Sequence, residues 1–381
     1  MPQILEAAAA AGAAATHALV IGVSHYAHID GGTVPTSNGA ALGLDQLTCA
    51  ARSALNVAEW LQRSYRNRDA PLGSLHVLLS PQPGESVPDV LRAPPWRATR
   101  ANVERDLREF VKLCAQSRSN VGFVYIAGHG VQLTKDDAIV LLEDVGSPEH
   151  LNLLDGAIDA AGCRAGMDHP GTASRQFWFV DACRQVPAVA WKFETMAGAL
   201  SLGRPVGRCE TSPLFLAAST RESAFARPGQ STLFSEALLQ ALRGGAAVGP
   251  SASCPMWHVP MARLYEVLSA SVRRASHEIG EEQTVDLAGR PSGGIVQQLA
   301  ETPTVRFRLD VLPERARSVS QVALLRDAQE PVPGLNRGWP IVADLKAGLY
   351  LLRVVSEPPF RNKDGILDVA PPEFAHDVEM A

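Results

Sequence analysis

Two residues with complementary chemistry follow two apolar segments of the chain. His129 comes just after segment 120–127, and Cys183 comes just after segment 175–180. An imidazole beside a thiol favours the reactive thiolate and can later protonate a leaving amine. Glycines on both sides of His129 permit close approach of a substrate, so the amides of Gly130 and Cys183 are candidate oxyanion donors, worth about 3–4 kcal/mol each. Cys183, His129 and Gly130 are therefore candidate catalytic residues, although a buried cysteine or a strand-end histidine also has purely structural uses.

The segments around these residues alternate between two hydrophobic patterns. Short continuous apolar runs are typical of strands covered on both faces, and stripes of period 3.6 are typical of helices. Strands are predicted over 17–23, 74–80, 120–127, 175–180 and 213–219. Helices are predicted over 47–61, 153–161, 233–242 and 261–275, and a further helix is predicted to begin after an N-cap at Thr99. This alternation predicts an α/β fold with a mainly parallel sheet flanked by helices, and ligands bind at the carboxyl ends of such strands.

The pattern changes near residue 303. Segment 304–311 alternates strictly between apolar and polar residues, as a half-buried antiparallel strand does. Segments 321–325 and 349–355 are further strands, with turns rich in Pro and Gly between them. The sequence therefore predicts an N-terminal arm over 1–16, a catalytic domain over 17–300 and a small all-β sandwich over 303–381.

Composition and charge exclude several classes of protein. The 381 residues are 46% hydrophobic and 20% charged, with 35 Lys and Arg against 40 Asp and Glu, a net charge of −5. This composition excludes a disordered chain, and its mild acidity gives no general footprint for nucleic acid. No run reaches the roughly 20 apolar residues of a membrane span. The six cysteines lack a disulfide-type spacing, and the Ala-rich N-terminus lacks a positive region, so we expect a cytoplasmic chain with reduced thiols.

The ordered set of motifs resembles the caspase-like clan of cysteine peptidases, which includes caspases, paracaspases and metacaspases. FVYIAGHG (123–130) and FWFVDACRQ (177–185) are similar to the family's two catalytic strand ends. ALVIGVSHY (18–26), LTCAARSALNVAEWL (47–61), PLFLAAST (213–220) and STLFSEALLQAL (231–242) follow in family order. The resemblance implies a caspase-like fold and a cysteine endopeptidase with a Cys183/His129 dyad that needs no metal or organic cofactor.

The same resemblance suggests a substrate pocket. Asp181 stands where the metacaspase-like branch places an acid that binds a basic side chain, and a buried carboxylate pairs best with Arg. Ser24 and Ser219, which belong to the first and fifth strand motifs, are the other candidate substrate-binding residues. The usual second acid is replaced by Ser53. We expect cleavage after Arg, with Lys second; the alternatives are a different specificity or a structural carboxylate that accepts backbone N–H bonds.

Segment 184–212 resembles the linker that many clan members cut on maturation. Arg208 and Lys192 are candidate cleavage sites, whereas Arg204 precedes Pro205 and is a poor one. The hypothesis is a zymogen activated by cleavage in cis or by another protease. The alternative is an uncut lid.

Cofactors and partners follow from the same reasoning. Calcium activates some metacaspases, but Asp136, Asp137, Glu143 and Asp144 lack EF-hand spacing, so a solvated hairpin is the preferred interpretation and no metal site is assigned. The expected partners are a protein substrate and an activating protease or regulatory protein, in regulated proteolysis or bacterial defence, with no nucleic acid and no membrane. The rival hypothesis is a catalytically silent caspase-fold scaffold that works through residues 303–381.

Overall fold

A seven-stranded sheet dominates the part of the chain that precedes residue 297. The computed structural model describes residues 3–6, 13–85, 96–132, 138–183, 198–203, 207, 209–218, 224–226, 229–252, 254–290, 293–326, 330–335 and 338–381. In spatial order, with strands numbered along the chain, the sheet consists of β1 (Gln3–Glu6), β3 (Leu72–Ser80), β2 (Thr16–Val23), β4 (Val121–Gly128), β8 (Arg175–Ala182), β9 (Ser212–Leu216) and β11 (Asp286–Arg290). The five central strands are parallel, and the edge strands β1 and β11 are antiparallel. The predicted mainly parallel sheet is confirmed, and four residues of the predicted arm form its edge strand β1.

Helices cover both faces of this sheet. The described helices are α1 (Ser37–Ala40), α2 (Ala50–Arg63), α3 (Arg100–Cys114), α4 (Ala160–Gly166), α5 (Leu233–Gln240) and α6 (Met261–Glu278). A Cβ on Gly22 of β2 would lie 2.5 Å from Cβ of Ala54 in α2, so this helix lies directly on that face. Leu19 and Ile21 point to the other face and share a buried cluster with Leu107 of α3. Because successive strand residues face opposite ways, α2 and α3 lie on opposite sides of the sheet.

The predicted helix over 153–161 is wrong. The segment forms a 3₁₀ turn at Leu153–Gly156 and then a short strand, β7 (Ala157–Asp159). The strand is favoured because Ile158 pairs with Val140 of β6 (Ile139–Leu141), which in turn pairs with β5 (Gly130–Val131). Asp159 then caps the start of α4 by accepting a hydrogen bond from Gly162 N–H, which ends the extended segment.

The N-cap of α3 also differs from expectation. Thr99 occupies the N-cap position, but its side chain makes no capping hydrogen bond. The carboxylate of Asp144 instead accepts from Arg100 N–H, at 3.0 Å to Oδ1 and 3.1 Å to Oδ2. A carboxylate at a helix N-terminus satisfies a free amide and complements the helix dipole, so Asp144 has a structural role here.

The C-terminal region consists of strands, as predicted. One sheet has the order β16 (Ile341–Lys346), β13 (Thr304–Leu312), β19 (Glu373–Glu379), and the other has β15 (Glu330–Pro331), β14 (Ser320–Arg326), β17 (Gly348–Ser356), β18 (Lys363–Val369). Phe307, Leu309, Leu352 and Val354 from the two sheets share one buried core. Alternating inward residues from two sheets define a β-sandwich.

The chain divides into two compact units. The first comprises residues 1–239 and 268–296, and the second comprises 240–267 and 297–381. The second unit thus includes a π-helical turn at Ala241–Gly245 and the short strand β10 (His258–Pro260), which pairs with β12 (Ile295–Gln298). The domain boundaries near 300 stay a prediction. No helix within the described ranges is both long and apolar enough to cross a bilayer.

Candidate active site

His129 follows the last residue of β4, and Asp45 and Tyr26 contact its ring and backbone. Its Nε2 lies 2.6 Å from the backbone oxygen of Asp45. Its backbone N–H donates to the hydroxyl of Tyr26 at 2.7 Å, and the two rings lie 5.1 Å apart between centroids. A carbonyl oxygen only accepts, so Nε2 must carry a proton and the neutral ring presents Nδ1 as its basic nitrogen.

Cys183 follows the last residue of β8, the strand next to β4. The two strands are parallel with Gly128 opposite Ala182, so His129 and Cys183 leave the sheet at the same carboxyl edge. The thiol is partly exposed, and its Sγ accepts from Ala224 N–H at 3.2 Å. A hydrogen bond from an amide to sulfur favours the thiolate form.

Burial pushes both groups towards their neutral forms. It raises the pKa of the Cys183 thiol above its ordinary value, with the nearby Asp181 adding to the rise and the Ala224 amide opposing it. Burial likewise lowers the pKa of His129, opposed by the bond to Asp45. The free site therefore favours a neutral thiol and a neutral imidazole at neutral pH, and the imidazole is in the form that accepts a proton.

Gly130 lies against the backbone of Cys183. A Cβ added to Gly130 would lie 2.0 Å from the Cys183 carbonyl oxygen and 2.9 Å from Cβ of Ala182. Gly130 pairs with Val140, and Leu141 N–H donates to the His129 carbonyl, so this is a non-hydrogen-bonded pair. The Gly130 N–H is therefore directed away from β6.

We expect Gly130→Ala to reduce turnover by about 10²-fold, because the Cβ would separate the strand ends that carry His129 and Cys183, and a misplacement near 1 Å costs that much. The measurement is kcat/KM together with the thermal unfolding midpoint. Gly365→Ala is the matched control, since a Cβ at Gly365 meets no atom within 4 Å. Equal activity in both variants would show that Gly130 is not needed at the site.

Asp181 is the second-last residue of β8 and is only 2% exposed. Its Oδ2 accepts hydrogen bonds from the hydroxyls of Tyr125, at 2.5 Å, and Thr232. Its Oδ1 is buried without a hydrogen-bond partner among the residues that the structure describes. Burial raises the pKa of this carboxyl to about 6. The donors are hydroxyls rather than backbone N–H groups, and both of them bind Oδ2.

The two serines near this group have structural contacts. Ser53 of α2 accepts from Thr232 N–H at 3.0 Å, which connects α2 with the residue that binds Asp181. Ser24 is fully buried; its hydroxyl accepts from Ala51 N–H at 2.9 Å and donates to Glu85 at 3.3 Å. Ser24 thus caps the start of α2. Its predicted contact with substrate stays a prediction.

Several predicted residues lie outside the described ranges or have other contacts. Ser219, Lys192, Arg208, Asp136 and Asp137 are outside the described residues. Glu143 is nearly buried and accepts from Arg97, at 2.6 Å to Oε1 and 2.8 Å to Oε2, and from Ser80 at 2.7 Å. Among the described side chains, no group of three or more His, Cys, Asp or Glu residues is placed to hold a metal ion.

Sequence reasoning missed the residues that hold the candidate groups: Tyr26, Asp45, Tyr125, Ala224 and Thr232. Tyr26 and Asp45 act on His129 from loops more than 80 positions away, and Asp45 does so through its backbone, which any residue type could supply. Among these residues, Tyr125 could have been identified from the sequence, because a hydroxyl inside an otherwise apolar buried strand needs a hydrogen-bond partner.

Comparison with known proteins is consistent with this architecture. The family model for the caspase domain of C14 peptidases matches residues 15–259, so the chain belongs to the caspase-domain peptidase family. An uncharacterised protein, y4kE, from Sinorhizobium fredii is 28% identical over 292 residues, which cover 71% of this chain and 80% of that protein. The crystal structure of caspase-1 from Spodoptera frugiperda aligns with a TM-score of 0.42 and 10% identity, over 73% of this chain and 87% of that one. The family model confirms the predicted family, the sheet of this structure confirms the predicted α/β fold, and a peptidase family implies protein substrates.

Proposed function

We propose that this chain is a cysteine endopeptidase in which Cys183 is the nucleophile and His129 is the general base and acid. The observation that carries the proposal is the register of β4 and β8, which brings His129 and Cys183 to one edge of the sheet. Membership of the caspase-domain family supports it independently. A biological role of this chain in regulated proteolysis or bacterial defence stays a prediction.

Because the Cys183 thiol and the His129 imidazole both start neutral, the first proton transfer runs from the thiol to the imidazole. As the Cys183 sulfur bonds to the substrate carbonyl carbon, its proton passes to Nδ1 of His129, and the carbonyl oxygen becomes an oxyanion. The amide of Gly130, directed away from β6, is a donor candidate for that oxyanion. His129 returns the proton to the leaving amine as the C–N bond breaks. Water then hydrolyses the thioester, with His129 as its base.

The test is turnover of fluorogenic peptides with Arg, Lys, Asp or Ala before the scissile bond, on intact chain and on chain nicked by limited proteolysis. Calcium is added in a parallel series, because Asp136 and Asp137, two of the carboxylates considered as calcium ligands, lie outside the described residues. We expect hydrolysis of the Arg peptide first and the Lys peptide second. No turnover under any of these conditions would favour the silent scaffold instead.

We further propose that Asp181 selects the basic residue. Its unpartnered Oδ1 would receive the guanidinium, whereas the hydroxyls of Tyr125 and Thr232 hold Oδ2. A desolvated carboxylate with one free oxygen gains most from a partner that is itself charged and a multiple donor, as Arg is. Ser53 supplies no second charge, so this specificity depends on one acid.

We propose that the zymogen is cut after Lys192 rather than after Arg208, the other predicted cleavage site. Both described neighbours of Arg208 are bound by Asp168: Cys209 N–H donates to its carboxylate and Gly207 N–H to its carbonyl, each at 2.7 Å. Cys209 is also only 2% exposed. A peptidase needs an extended, accessible substrate, so cleavage after Arg208 would require these bonds to open.

We therefore expect nicking after Lys192 rather than after Arg208. Lys192→Ala should slow both the appearance of the nicked chain and the onset of activity by about tenfold or more, since the desolvated carboxylate loses its partner. Arg208→Ala is the matched control and should leave both unchanged. The measurement is intact mass against time alongside turnover. Full activity of an uncut chain would overturn the zymogen proposal.

A further inference from the structure

One side chain, Gln46, joins the two groups that hold His129. Gln46 follows Asp45, whose carbonyl binds the imidazole, and its amide hydrogen-bonds both backbone groups of Tyr26, whose ring and hydroxyl contact His129. Its Oε1 accepts from Tyr26 N–H at 2.8 Å, and its Nε2 donates to the Tyr26 carbonyl at 2.9 Å.

Two further bonds complete the use of this amide. Nε2 also donates to the carbonyl of Asp30 at 3.0 Å, and Oε1 also accepts from Nε2 of Gln82 at 2.7 Å. The amide oxygen thus faces two donors and the amide nitrogen faces two acceptors, which fixes its orientation. Gln82 in turn donates to the Ser24 carbonyl at 3.0 Å, and Leu47 N–H donates to the same carbonyl at 3.0 Å.

The segment that carries the Asp45 carbonyl has no regular structure of its own between α1 and α2. Its position relative to Tyr26 therefore depends on these side-chain bonds together with the Leu47 N–H bond to the Ser24 carbonyl. We propose that Gln46 is a positioning residue for His129, which holds the Asp45 carbonyl and the Tyr26 ring so that the imidazole keeps its proton on Nε2 and presents Nδ1 to the thiol. This proposal rests on the proposed function for its kinetic consequence, but not for its structural one.

The chain contains a matched control at the other end of β8. The amide of Gln176 is buried and also fully used: its Nε2 donates to the carbonyls of Met167 at 2.8 Å and Ala173 at 3.1 Å, and its Oε1 accepts from Trp178 at 3.2 Å. Gln176 is the second residue of the strand that ends beside Cys183, so it lies away from the carboxyl edge. Replacing either glutamine removes a comparable set of hydrogen bonds.

The experiment compares Gln46→Met with Gln176→Met in the full chain. Imidazole ¹⁵N NMR of histidine-labelled protein, with His129→Gln to assign the signal, reports the tautomer and titration of His129 without any need for activity. We expect Gln46→Met to lose the pure Nε2-protonated tautomer and to titrate at lower pH, because the Asp45 bond raises the pKa of His129. We expect kcat to fall by about 10²-fold with little change in KM, and the acid limb of the pH profile to move to lower pH. Gln176→Met should lower the unfolding midpoint and change none of these.

Gln46→Glu is the second variant, in case the first does not fold. It keeps the side-chain length and both accepted bonds but loses both donated ones, and its carboxylate would face the carbonyls of Tyr26 and Asp30. We therefore expect the tautomer and kcat to change as in Gln46→Met, while the added negative charge opposes the downward shift of the His129 pKa. An unchanged His129 signal and pH profile in both Gln46 variants would overturn the proposal. If wild-type chain hydrolyses no peptide while the His129 signal still changes in Gln46→Met, the peptidase function fails and the positioning role stands.

Discussion

Cys183→Ala is expected to lower kcat/KM by about 10⁴-fold or more on every peptide that wild-type chain hydrolyses. Loss of the nucleophile removes the covalent route entirely, and what remains comes from binding and oxyanion stabilisation. The measurement is turnover of the preferred fluorogenic peptide. Cys254→Ala is the control, because Cys254 is a buried thiol that belongs to the second compact unit.

Labelling of the thiol tests the same assignment by a different route. Because burial raises the pKa of the Cys183 thiol, only a small fraction is thiolate at neutral pH. Alkylation by iodoacetamide, in which sulfur bonds to carbon and iodide leaves, should therefore accelerate about tenfold per pH unit between pH 7 and 9. A peptidyl-arginine chloromethyl ketone should label Cys183 much faster at the same pH, since binding places its carbon at the sulfur. Retained turnover in Cys183→Ala, or labelling of another cysteine by the ketone, would contradict the assignment.

Asp181→Asn is expected to reduce hydrolysis of Arg and Lys peptides by about 10²-fold or more, because truncating one partner of a desolvated charge pair costs several kcal/mol. The asparagine oxygen can still accept from Tyr125 and Thr232, so the local structure is retained. The measurement is kcat/KM for Arg, Lys and Ala peptides between pH 5 and 8. Since the carboxyl pKa is about 6, the preference of wild-type chain for Arg should weaken below that pH, and the variant should show no such dependence.

Stability should change in the opposite direction. The pKa of Asp181 in the folded chain lies above the value for an exposed carboxyl, so burial costs nothing at a pH where both states are protonated. The cost grows as pH rises above the exposed value and is complete above about 6. Removing the charge should therefore raise the unfolding midpoint at pH 7 to 8. A variant that is more stable and less active is the signature of a residue retained for function. The control, Asp106→Asn, removes a buried carboxylate that pairs with Arg105 in α3, and should lose stability without changing specificity. Unchanged preference for Arg in Asp181→Asn would make Asp181 structural.

Sequence patterns were most informative where a segment buries both faces. Residues 17–23, 120–127 and 175–180 are mainly apolar runs, as is typical of a covered strand, and all three form central strands of the sheet. The prediction failed at 153–161, because a short apolar segment fits either a helix or a strand until its partner is known. There the partner is β6, which the segment meets only after the chain folds.

By itself, the sequence determined the family, the parallel sheet, the C-terminal strands and the choice of Cys183, His129 and Asp181 as candidates. The strands depend on residue types and local periodicity, and the family and the role of Asp181 on the resemblance of the ordered motifs, all of which a linear chain displays. Only the tertiary structure decided what surrounds each candidate: the Asp45 carbonyl on His129, the hydroxyls on Asp181 and the Gln46 amide between Asp45 and Tyr26. Those contacts join loops that are distant along the chain and often use backbone atoms, which are identical in every residue type. The orientation and protonation of the candidate site are therefore properties of the folded chain.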